Sequence, residues 1–314
     1  MSKHSLNIAG VVRACGLFAA LSLMLPQTQS STNSGSSANS AIVESPGRTE
    51  VEKLIRESGA DVAVAYSTLD GTPQEMMLNE NESFHAASTM KIPVMIELFA
   101  EAHSGKLGLD DKLLIQNEFH SIVDDSIYHL DPKDDSDEDV YKAIGTQWTL
   151  RQLCEAMITK SSNLATDLII EKLGVANIQA CVHLLQADGL HLLRGVEDEK
   201  AFQAGKNNTT TAKALYLLLR AIADHSACDP DSCMQMLDIL ERQTFNEAIP
   251  PGLPPGTVIA HKTGEITGIH HDAAIVFGRH PFVLVILVKG IDDRNKSSVL
   301  MAAITRAIYD GLPN

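Results

Sequence analysis

The chain alternates between stretches in which apolar residues recur every three to four positions and stretches in which they recur every second position or run without a break. These two spacings are typical of amphipathic helices and of strands. The first elements they predict are a helix from Thr49 to Gly59, a strand from Val62 to Tyr66 and, after a turn at Asp70-Gly71, a returning strand from Met76 to Leu78. An antiparallel hairpin therefore leads into the stretch that begins at Phe84.

The rest of the chain is predicted to be helical in its middle and stranded near its end. The predicted helices cover residues 88–103, 149–160, 164–173 and 214–223. After a Pro- and Gly-rich break come strand-like runs at 258–263, 271–277 and 282–288 and a last helix at 298–310. Residues 190–208 have no clear period, which predicts a long functional loop.

The N-terminus has the pattern of a secretory signal. Basic residues precede an uncharged apolar run at 14–25, and a Ser/Asn/Thr/Gly-rich stretch follows at 27–40. An apolar run of about a dozen residues is too short to span a bilayer. We therefore interpret residues 1–40 as a signal peptide and linker, expect a secreted or periplasmic protein without stable membrane insertion, and place the folded domain at 45–314. A retained anchor is the alternative.

Composition narrows the class of ligand. The 314 residues are 44% hydrophobic and carry a formal net charge of −15. Such a chain can bury one large core or two small ones, whereas its negative charge argues against nucleic acid as a ligand. We predict a monomer that binds a small molecule and needs no cofactor.

The cysteines and acidic residues give little support to a metal centre. No C-x-x-C pair is present, and Cys154 and Cys181 lie in helical patterns typical of core residues. Cys228 and Cys233 flank a short polar segment and could close a small disulfide loop in an exported protein. The acidic run at 124–139 lacks the spacing of a calcium loop, so a solvated surface insertion is predicted.

Chemistry enters at Ser88 and Lys91, three residues apart where the first long apolar helix begins. Side chains at i and i+3 share a helix face, so the Ser88 hydroxyl is predicted to lie beside the Lys91 amine. Burial and the positive end of the helix dipole favour the neutral amine, which can accept the serine proton. The pair predicts a nucleophile with its base. An N-cap serine with a solvated lysine is the alternative.

Two further motifs favour the chemical interpretation. Ser161 and Asn163 occupy a predicted turn between two helices, where polar side chains can point into a cleft. Lys262-Thr263-Gly264 ends a predicted strand, and a glycine there allows a ligand to approach the backbone closely.

In this order, Ser88-Thr89-Met90-Lys91, Ser161-Ser162-Asn163 and Lys262-Thr263-Gly264 resemble the three motifs of the penicillin-recognising serine hydrolases, and more narrowly of class A β-lactamases. The resemblance covers nearly all of the chain after about Ser45. It implies an α/β (α+β) fold with an antiparallel sheet of about five strands, built from both chain ends and flanked by helices. An all-helical subdomain would be inserted at about 88–245.

The resemblance also implies catalytic roles. Ser88 would be the acylated nucleophile, with Lys91 as its base or base partner. Ser161 would pass a proton to the leaving nitrogen. Glu197, in the loop before a threonine-capped helix, would activate the water that hydrolyses the acyl-enzyme.

Substrate-binding roles follow from the same resemblance. Asn163 would hydrogen-bond the amide side chain of the substrate, and Lys262 and Thr263 would engage its carboxylate. Backbone N–H groups of Ser88 and of Glu265, the residue after Gly264, would form the oxyanion hole.

The sequence departs from the class A pattern near these residues. Ser162 stands where an aspartate is usual, and Glu197 lacks the asparagine that usually follows it in the loop. Asn208 stands where an aspartate usually partners Arg194. These departures indicate a divergent relative.

A further departure concerns the carboxylate site. No arginine stands on the strand after Lys-Thr-Gly, and His270 and His271 occupy that region instead. We therefore predict that His271, or failing that His270, lines the cleft and helps to hold an anionic substrate group. A metal shared by the two is not expected, because adjacent residues on a strand point to opposite faces.

Together these observations predict a secreted serine hydrolase that forms an acyl-enzyme on Ser88 and acts on β-lactams or related amides and esters. A peptidase acting on the D-Ala-D-Ala ends of peptidoglycan, or an esterase, is the alternative among enzymes. A penicillin-binding sensor that stays acylated is the alternative of a different class.

Overall fold

The computed structural model describes residues 43–44, 47–71 and 74–313. They belong to one compact unit, residues 42–314. The predicted signal peptide and linker lie outside the described residues. No helix among the described residues has the length and apolar character needed to cross a membrane.

Every predicted helix and strand is present, with bounds that differ by up to four residues. The helices of the described residues are α1 Arg48–Ser58, α2 Lys91–His103, α3 Glu138–Lys142, α4 Leu150–Thr159, α5 Asn163–Leu173, α6 Val175–Leu184, α7 Glu199–Gln203, α8 Ala212–Ala223, α9 Pro230–Glu241 and α10 Arg294–Asp310. The strands are β1 Val43–Glu44, β2 Asp61–Thr68, β3 Gln74–Leu78, β4 Phe84–His85, β5 Lys112–Leu114, β6 Phe119–His120, β7 Ile127–Tyr128, β8 Gln147–Thr149, β9 Thr209–Thr210, β10 Ile259–Ile266, β11 Ile269–Val276 and β12 Phe282–Lys289. Short 3₁₀ turns cover Ala87–Met90 and Pro250–Gly252. Helices α3, α6, α7 and α9 and the short strands were not predicted.

The main sheet has the strand order β1-β3-β2-β12-β11-β10. Strands β3, β2, β12, β11 and β10 run antiparallel to their neighbours, and the two-residue β1 adds a parallel edge beside β3. The predicted α+β fold with an antiparallel five-stranded sheet is confirmed. The chain between α2 and α9 is mainly helical, although the short pairs β5–β8 and β6–β7 interrupt it and β9 pairs with β4, which precedes α2.

Alternation along the strands divides the interior into two cores. In β12, Leu284 and Ile286 belong to the core shared with α1 and α10, whereas Val283 and Val285 belong to the core shared with the inserted helices. Strand β12 is therefore apolar at nearly every position, because helices cover both faces of the sheet. Each fully buried side chain of this kind contributes roughly 1.5–3 kcal/mol to folding.

Two differences from the predicted elements have clear causes. Ser88 stands in a 3₁₀ turn that precedes α2 rather than in the α-helix itself. The disulfide that Cys228 and Cys233 could form is not present, because Asp229 caps α9 and Pro230 begins it, so the segment between the cysteines is a helix start. Both cysteines are free thiols, and the buried Cys154 and Cys181 are free as well.

Candidate active site

The turn that carries Ser88 is held in a left-handed conformation just before the serine. Ala87 has a φ of 45°, which is unusual for a residue other than glycine and is typical of functional sites. Its N–H donates to His85 Nδ1 at 3.0 Å, and Thr89 Oγ1 donates to the Ala86 carbonyl at 2.6 Å. Ser88 is half-buried and lines the cleft described below.

Lys91 is fully buried and its amine is directed at the second motif. Lys91 Nζ donates to the Ser161 carbonyl at 2.7 Å, to Asn163 Oδ1 at 2.9 Å and to Ser161 Oγ at 3.2 Å. Burial lowers the pKa of Lys91 to about 8, against the opposing effect of nearby carboxylates, of which Asp135 is the strongest. Among the described residues no hydrogen bond joins the Ser88 hydroxyl to Lys91. The Lys91 amine is instead bonded to Ser161 and Asn163.

Ser161 links the second motif to the third. Its hydroxyl accepts from Lys91 and also from Lys262 Nζ, at 3.0 Å. Lys262 is itself fully buried and donates to the Thr263 carbonyl at 2.8 Å. Burial and the charge of Lys91 lower the pKa of Lys262 well below its usual value. Two lysine amines thus share one hydroxyl, an arrangement through which a proton can pass.

The third motif lies against the Ser88 turn. A Cβ added to Gly264 would lie 3.0 Å from the backbone nitrogen of Ser88 and 3.0 Å from that of Thr89. Only a residue without a side chain allows the end of β10 to come this close without displacing the turn. Glu265, the next residue, also lines the cleft.

Glu197 faces Asn163 across the cleft. Asn163 Nδ2 donates to Glu197 Oε1 at 2.7 Å. Glu197 is half-buried, and desolvation raises the pKa of its carboxyl group, which makes it a stronger base than an exposed glutamate. Glu197 has a φ of 58°. The second motif and the loop of Glu197 are therefore joined directly across the cleft.

The loop of Glu197 is fastened without the usual arginine–aspartate pair. Asn208 Oδ1 accepts from the backbone N–H groups of Leu193 and Arg194, at 2.8 and 3.2 Å. The Arg194 guanidinium donates instead to the carbonyls of Lys206 and Gly195. Neutral contacts thus take over the structural role that the resemblance assigns to an ion pair.

Two buried carboxyl groups bind the backbone near Glu197 and the segment packed against it. Asp167 of α5 accepts from the Val196 N–H at 2.7 Å and from the Tyr128 hydroxyl at 3.1 Å, and burial raises its pKa to about 8. Asp198 accepts from Ser121 Oγ at 2.9 Å and from the Ile122 N–H at 3.0 Å. Both residues fix the backbone on either side of Glu197.

The cleft consists of two adjoining cavities of about 380 and 260 Å³. Ser88, Asn163 and Glu265 line both. The larger cavity extends along the loop of Glu197. Residues that line the smaller one are Asp134, Ser136, Ser161, Phe245, Thr263, Gly264 and Arg294.

The predicted role of His271 is wrong. His271 is fully buried, its Nε2 contacts the His85 carbonyl at 2.9 Å, and its Nδ1 accepts from the Val288 N–H at 3.2 Å. Burial lowers the pKa of His271 to about 4, so the ring is neutral where an anion would need a charge. His270 is buried against Ser297 at 2.7 Å. The histidine that does line the cleft is His85.

Sequence reasoning missed Arg294, the cation that the smaller cavity contains. It is the first residue of α10, which begins four residues before the predicted helix because Asp293 caps it. Arg294 Nε contacts Glu265 Oε2 at 2.8 Å. The Asp293 cap is the signal that would have extended the predicted helix to Arg294.

The acidic run is only partly the solvated insertion that was predicted. Most of its acids are exposed, but Asp137 is 3% exposed and Asp135 is half-buried against α5. Among the described residues, the side chains whose potential ligand atoms converge within 4.8 Å are His103, Cys228 and Asp229, outside this run.

Comparisons with known proteins agree with the fold. A family model described as the beta-lactamase enzyme family matches residues 47–312. A beta-lactamase of Bacteroides uniformis is 24% identical over 277 residues, covering 83% of this chain and 90% of the relative. A beta-lactamase of Bacillus licheniformis is 25% identical over 264 residues, covering 82% and 81%.

Solved structures show the same fold. A beta-lactamase from Sphaerobacter thermophilus superposes with a TM-score of 0.72 at 22% identity, covering 86% of this chain and 99% of that one. A mutant of PBP-A, as an acyl-enzyme complex with penicillin G, superposes with a TM-score of 0.73 at 24% identity, covering 86% and 97%. At such identities the likeness establishes the fold alone.

Proposed function

The chain belongs to the β-lactamase enzyme family, and on this basis we propose that it is an exported serine hydrolase that opens β-lactam rings through an acyl-enzyme on Ser88. The observation that carries the proposal is the convergence of two buried lysines on the Ser161 hydroxyl in the cleft that Ser88 lines. Burying two amines that are normally charged costs free energy, and groups with such strongly shifted pKa values cluster at functional sites. The domain of the proposed hydrolase is 45–314.

Acylation begins with attack of Ser88 Oγ on the lactam carbonyl carbon. Neutral Lys91 takes the hydroxyl proton, directly or through Ser161, and the carbonyl oxygen gains the negative charge. The N–H groups of Ser88 and Glu265 stabilise that charge, an interaction for which a single donor is commonly worth about 3 kcal/mol of barrier. When the C–N bond breaks, Ser161 gives its proton to the leaving nitrogen and is reprotonated from Lys91 or Lys262.

Deacylation uses the opposite side of the cleft. Glu197 takes a proton from a water, whose oxygen attacks the ester carbonyl carbon, and the ester bond breaks as Ser88 regains its proton. The raised pKa of Glu197 supports this role. The substrate carboxylate would lie in the smaller cavity near Lys262, Thr263 and Arg294, and Asn163 would hydrogen-bond the amide side chain.

One observation favours a slower alternative, a penicillin-binding protein that is acylated and then hydrolyses the adduct poorly. Ala201 stands four residues after Glu197, where the loop asparagine is usual, and its methyl side chain offers no hydrogen bond to a water beside Glu197. The nearer Asp198 carboxylate is bonded to Ser121 and Ile122. The two functions share the first chemical step and differ in the second.

The deciding experiment combines turnover of a chromogenic cephalosporin with intact-mass spectrometry over time. The proposed function predicts many equivalents of product per protein and a transient mass adduct on Ser88. A stoichiometric adduct that persists for hours supports the penicillin-binding alternative. Neither turnover nor an adduct contradicts both.

The acylation rate constant should rise with pH through about 8. Only the neutral Lys91 amine accepts a proton, and its pKa is lowered to about 8 by burial. The neutral fraction then grows about tenfold from one pH unit below the pKa to one unit above it. Stopped-flow labelling with a fluorescent penicillin between pH 6 and 9.5 measures the effect. A rate constant that falls or stays level over that range contradicts Lys91 as the base.

A further inference from the structure

The turn between α4 and α5 has to be held firmly, because it carries both Ser161 and Asn163. Its backbone is strained, since Ser161 has a φ of 58°. In the sequence Ser161-Ser162-Asn163 the middle side chain is a hydroxyl, which caps α5 by accepting from the Ala165 N–H at 3.2 Å. A serine accepts fewer hydrogen bonds than a carboxylate and carries no charge to complement the helix N-terminus.

Asp135 reaches this turn from the acidic segment. Its Oδ2 accepts from the backbone N–H of Asn163 at 2.8 Å and from that of Leu164 at 3.0 Å. The Ser162 hydroxyl also lies 3.4 Å from the same oxygen. The two amides belong to the first turn of α5, whose N–H groups have no partner within the helix.

Neighbours of Asp135 fasten the same segment to the start of the turn. Ser136 Oγ donates to the Lys160 carbonyl at 2.6 Å. Lys160 Nζ contacts Asp137 Oδ1 at 3.2 Å and Asp139 Oδ2 at 3.0 Å. Residues 135–139 therefore bind the turn at Lys160, where it begins, and at Asn163, where it ends. Lys91 binds the Ser161 carbonyl and the Asn163 side chain between them.

We propose that Asp135 is a positioning residue of the active site, which supplies from a separate segment the carboxylate that the middle of the Ser161-Ser162-Asn163 motif lacks. It touches neither substrate nor Ser88 in this role. It acts by fixing the backbone from which the Ser161 hydroxyl and the Asn163 amide project. The inference rests on the proposed function, because it assigns those two side chains to acylation.

The charge of Asp135 has a second, measurable consequence. It is the foremost of the charges that raise the pKa of the buried Lys91, followed by Asp167 of α5 and Glu197 of the loop. Lys262 of β10 carries a charge of the same sign as Lys91, and the repulsion between the two amines lowers the pKa of Lys262. Removing the Asp135 charge while keeping its shape should therefore shift the pH profile of acylation toward lower pH.

Asp135→Ala should lower the acylation rate constant about a hundredfold, because misplacing a reacting group by about 1 Å costs this much. Asp135→Asn keeps an oxygen that accepts from both amides, so it should lose no more than about tenfold and show the shifted pH profile. Asp125→Asn is the matched control. It removes the same charge from an exposed side chain of the same acidic run and should change the rate by less than about twofold.

Rescue separates positioning from general destabilisation. In Asp135→Ala/Ser162→Asp, the new carboxylate stands at the helix cap itself and should restore at least about tenfold of the lost rate. A merely structural defect of the acidic segment would not respond to this change. Failure of the double variant to recover any activity, with a melting temperature equal to that of Asp135→Ala, overturns the proposal.

Amide hydrogen exchange of the peptide 160–167 tests the proposal without a substrate. Protection should fall in Asp135→Ala, recover in the double variant and stay unchanged in Asp125→Asn. Unchanged protection in Asp135→Ala overturns the positioning role even if the parent enzyme is active. The converse outcome is a parent protein that is never acylated but whose variants still show the expected exchange pattern. That result contradicts the proposed function but supports the role of Asp135 in fixing the turn.

Discussion

Replacing Ser88 by alanine is expected to lower kcat/KM for a chromogenic cephalosporin by at least about ten-thousandfold, because removing the nucleophile of a serine hydrolase removes the covalent pathway. Labelling by a fluorescent penicillin should vanish with it. The lost hydroxyl has no hydrogen bond to Lys91 in the described residues and lies half-exposed in the cleft. The free energy of unfolding should therefore change by less than about 1 kcal/mol.

The control for this variant is Ser226→Ala, which removes an exposed hydroxyl bonded to the Ala221 carbonyl. Turnover and labelling should stay at the parent level. Thermal unfolding of both variants shows whether a loss of signal reflects chemistry or folding. Covalent labelling of a folded Ser88→Ala protein would refute Ser88 as the nucleophile.

Replacing Glu197 by glutamine is expected to separate the two halves of the reaction. The amide keeps the shape of the side chain and still accepts from Asn163 Nδ2, whose distance to Oε1 is 2.7 Å in the parent. The glutamine amide cannot take a proton from the hydrolytic water. Acylation should therefore persist while deacylation slows by about a hundredfold or more. Intact-mass spectrometry should find the acyl adduct accumulating in the variant and decaying quickly in the parent.

Glu241→Gln, an exposed change at the end of α9, provides the control for charge and amide content. It should deacylate at the parent rate. If Glu197→Gln also deacylates at that rate, Glu197 is not the base. Glu199 then becomes the acid to test, because the carboxylate of Asp198 is committed to Ser121, Ile122 and Ala201. A parent that keeps its adduct for hours supports the penicillin-binding alternative instead.

The sequence was sufficient for the parts of the site that are local in the chain. Ser88 and Lys91 are three residues apart, and Lys262-Thr263-Gly264 follows a plain strand pattern, so local spacing located them. The predicted strand end at this triplet was wrong, because β10 continues to Ile266. The antiparallel sheet followed from the same patterns. These features depend on neighbours along the chain, which a sequence displays directly.

What the sequence did not reveal depends on contacts between distant segments. The bond from Asp135 to the Asn163 amide spans 28 residues, and nothing in the acidic run marks which of its carboxylates turns inward. His271 shows the converse error, since alternation along β11 states that two histidines face opposite sides but not which side is open. Here both sides are covered, one by Phe84 and His85 and the other by α10.

The left-handed backbone at Ala87, Ser161 and Glu197 has a consequence for how this enzyme can change. These are three of the seven non-glycine residues with positive φ among the described residues, and each such conformation costs of order 1–3 kcal/mol. If the proposed function holds, we expect substitutions that let the backbone leave this conformation to gain stability and to lose turnover, because Ser88, Ser161 and Glu197 would move. Selection for thermal stability should instead find its gains in helix caps and surface charges distant from the cleft, where improvement carries no such penalty.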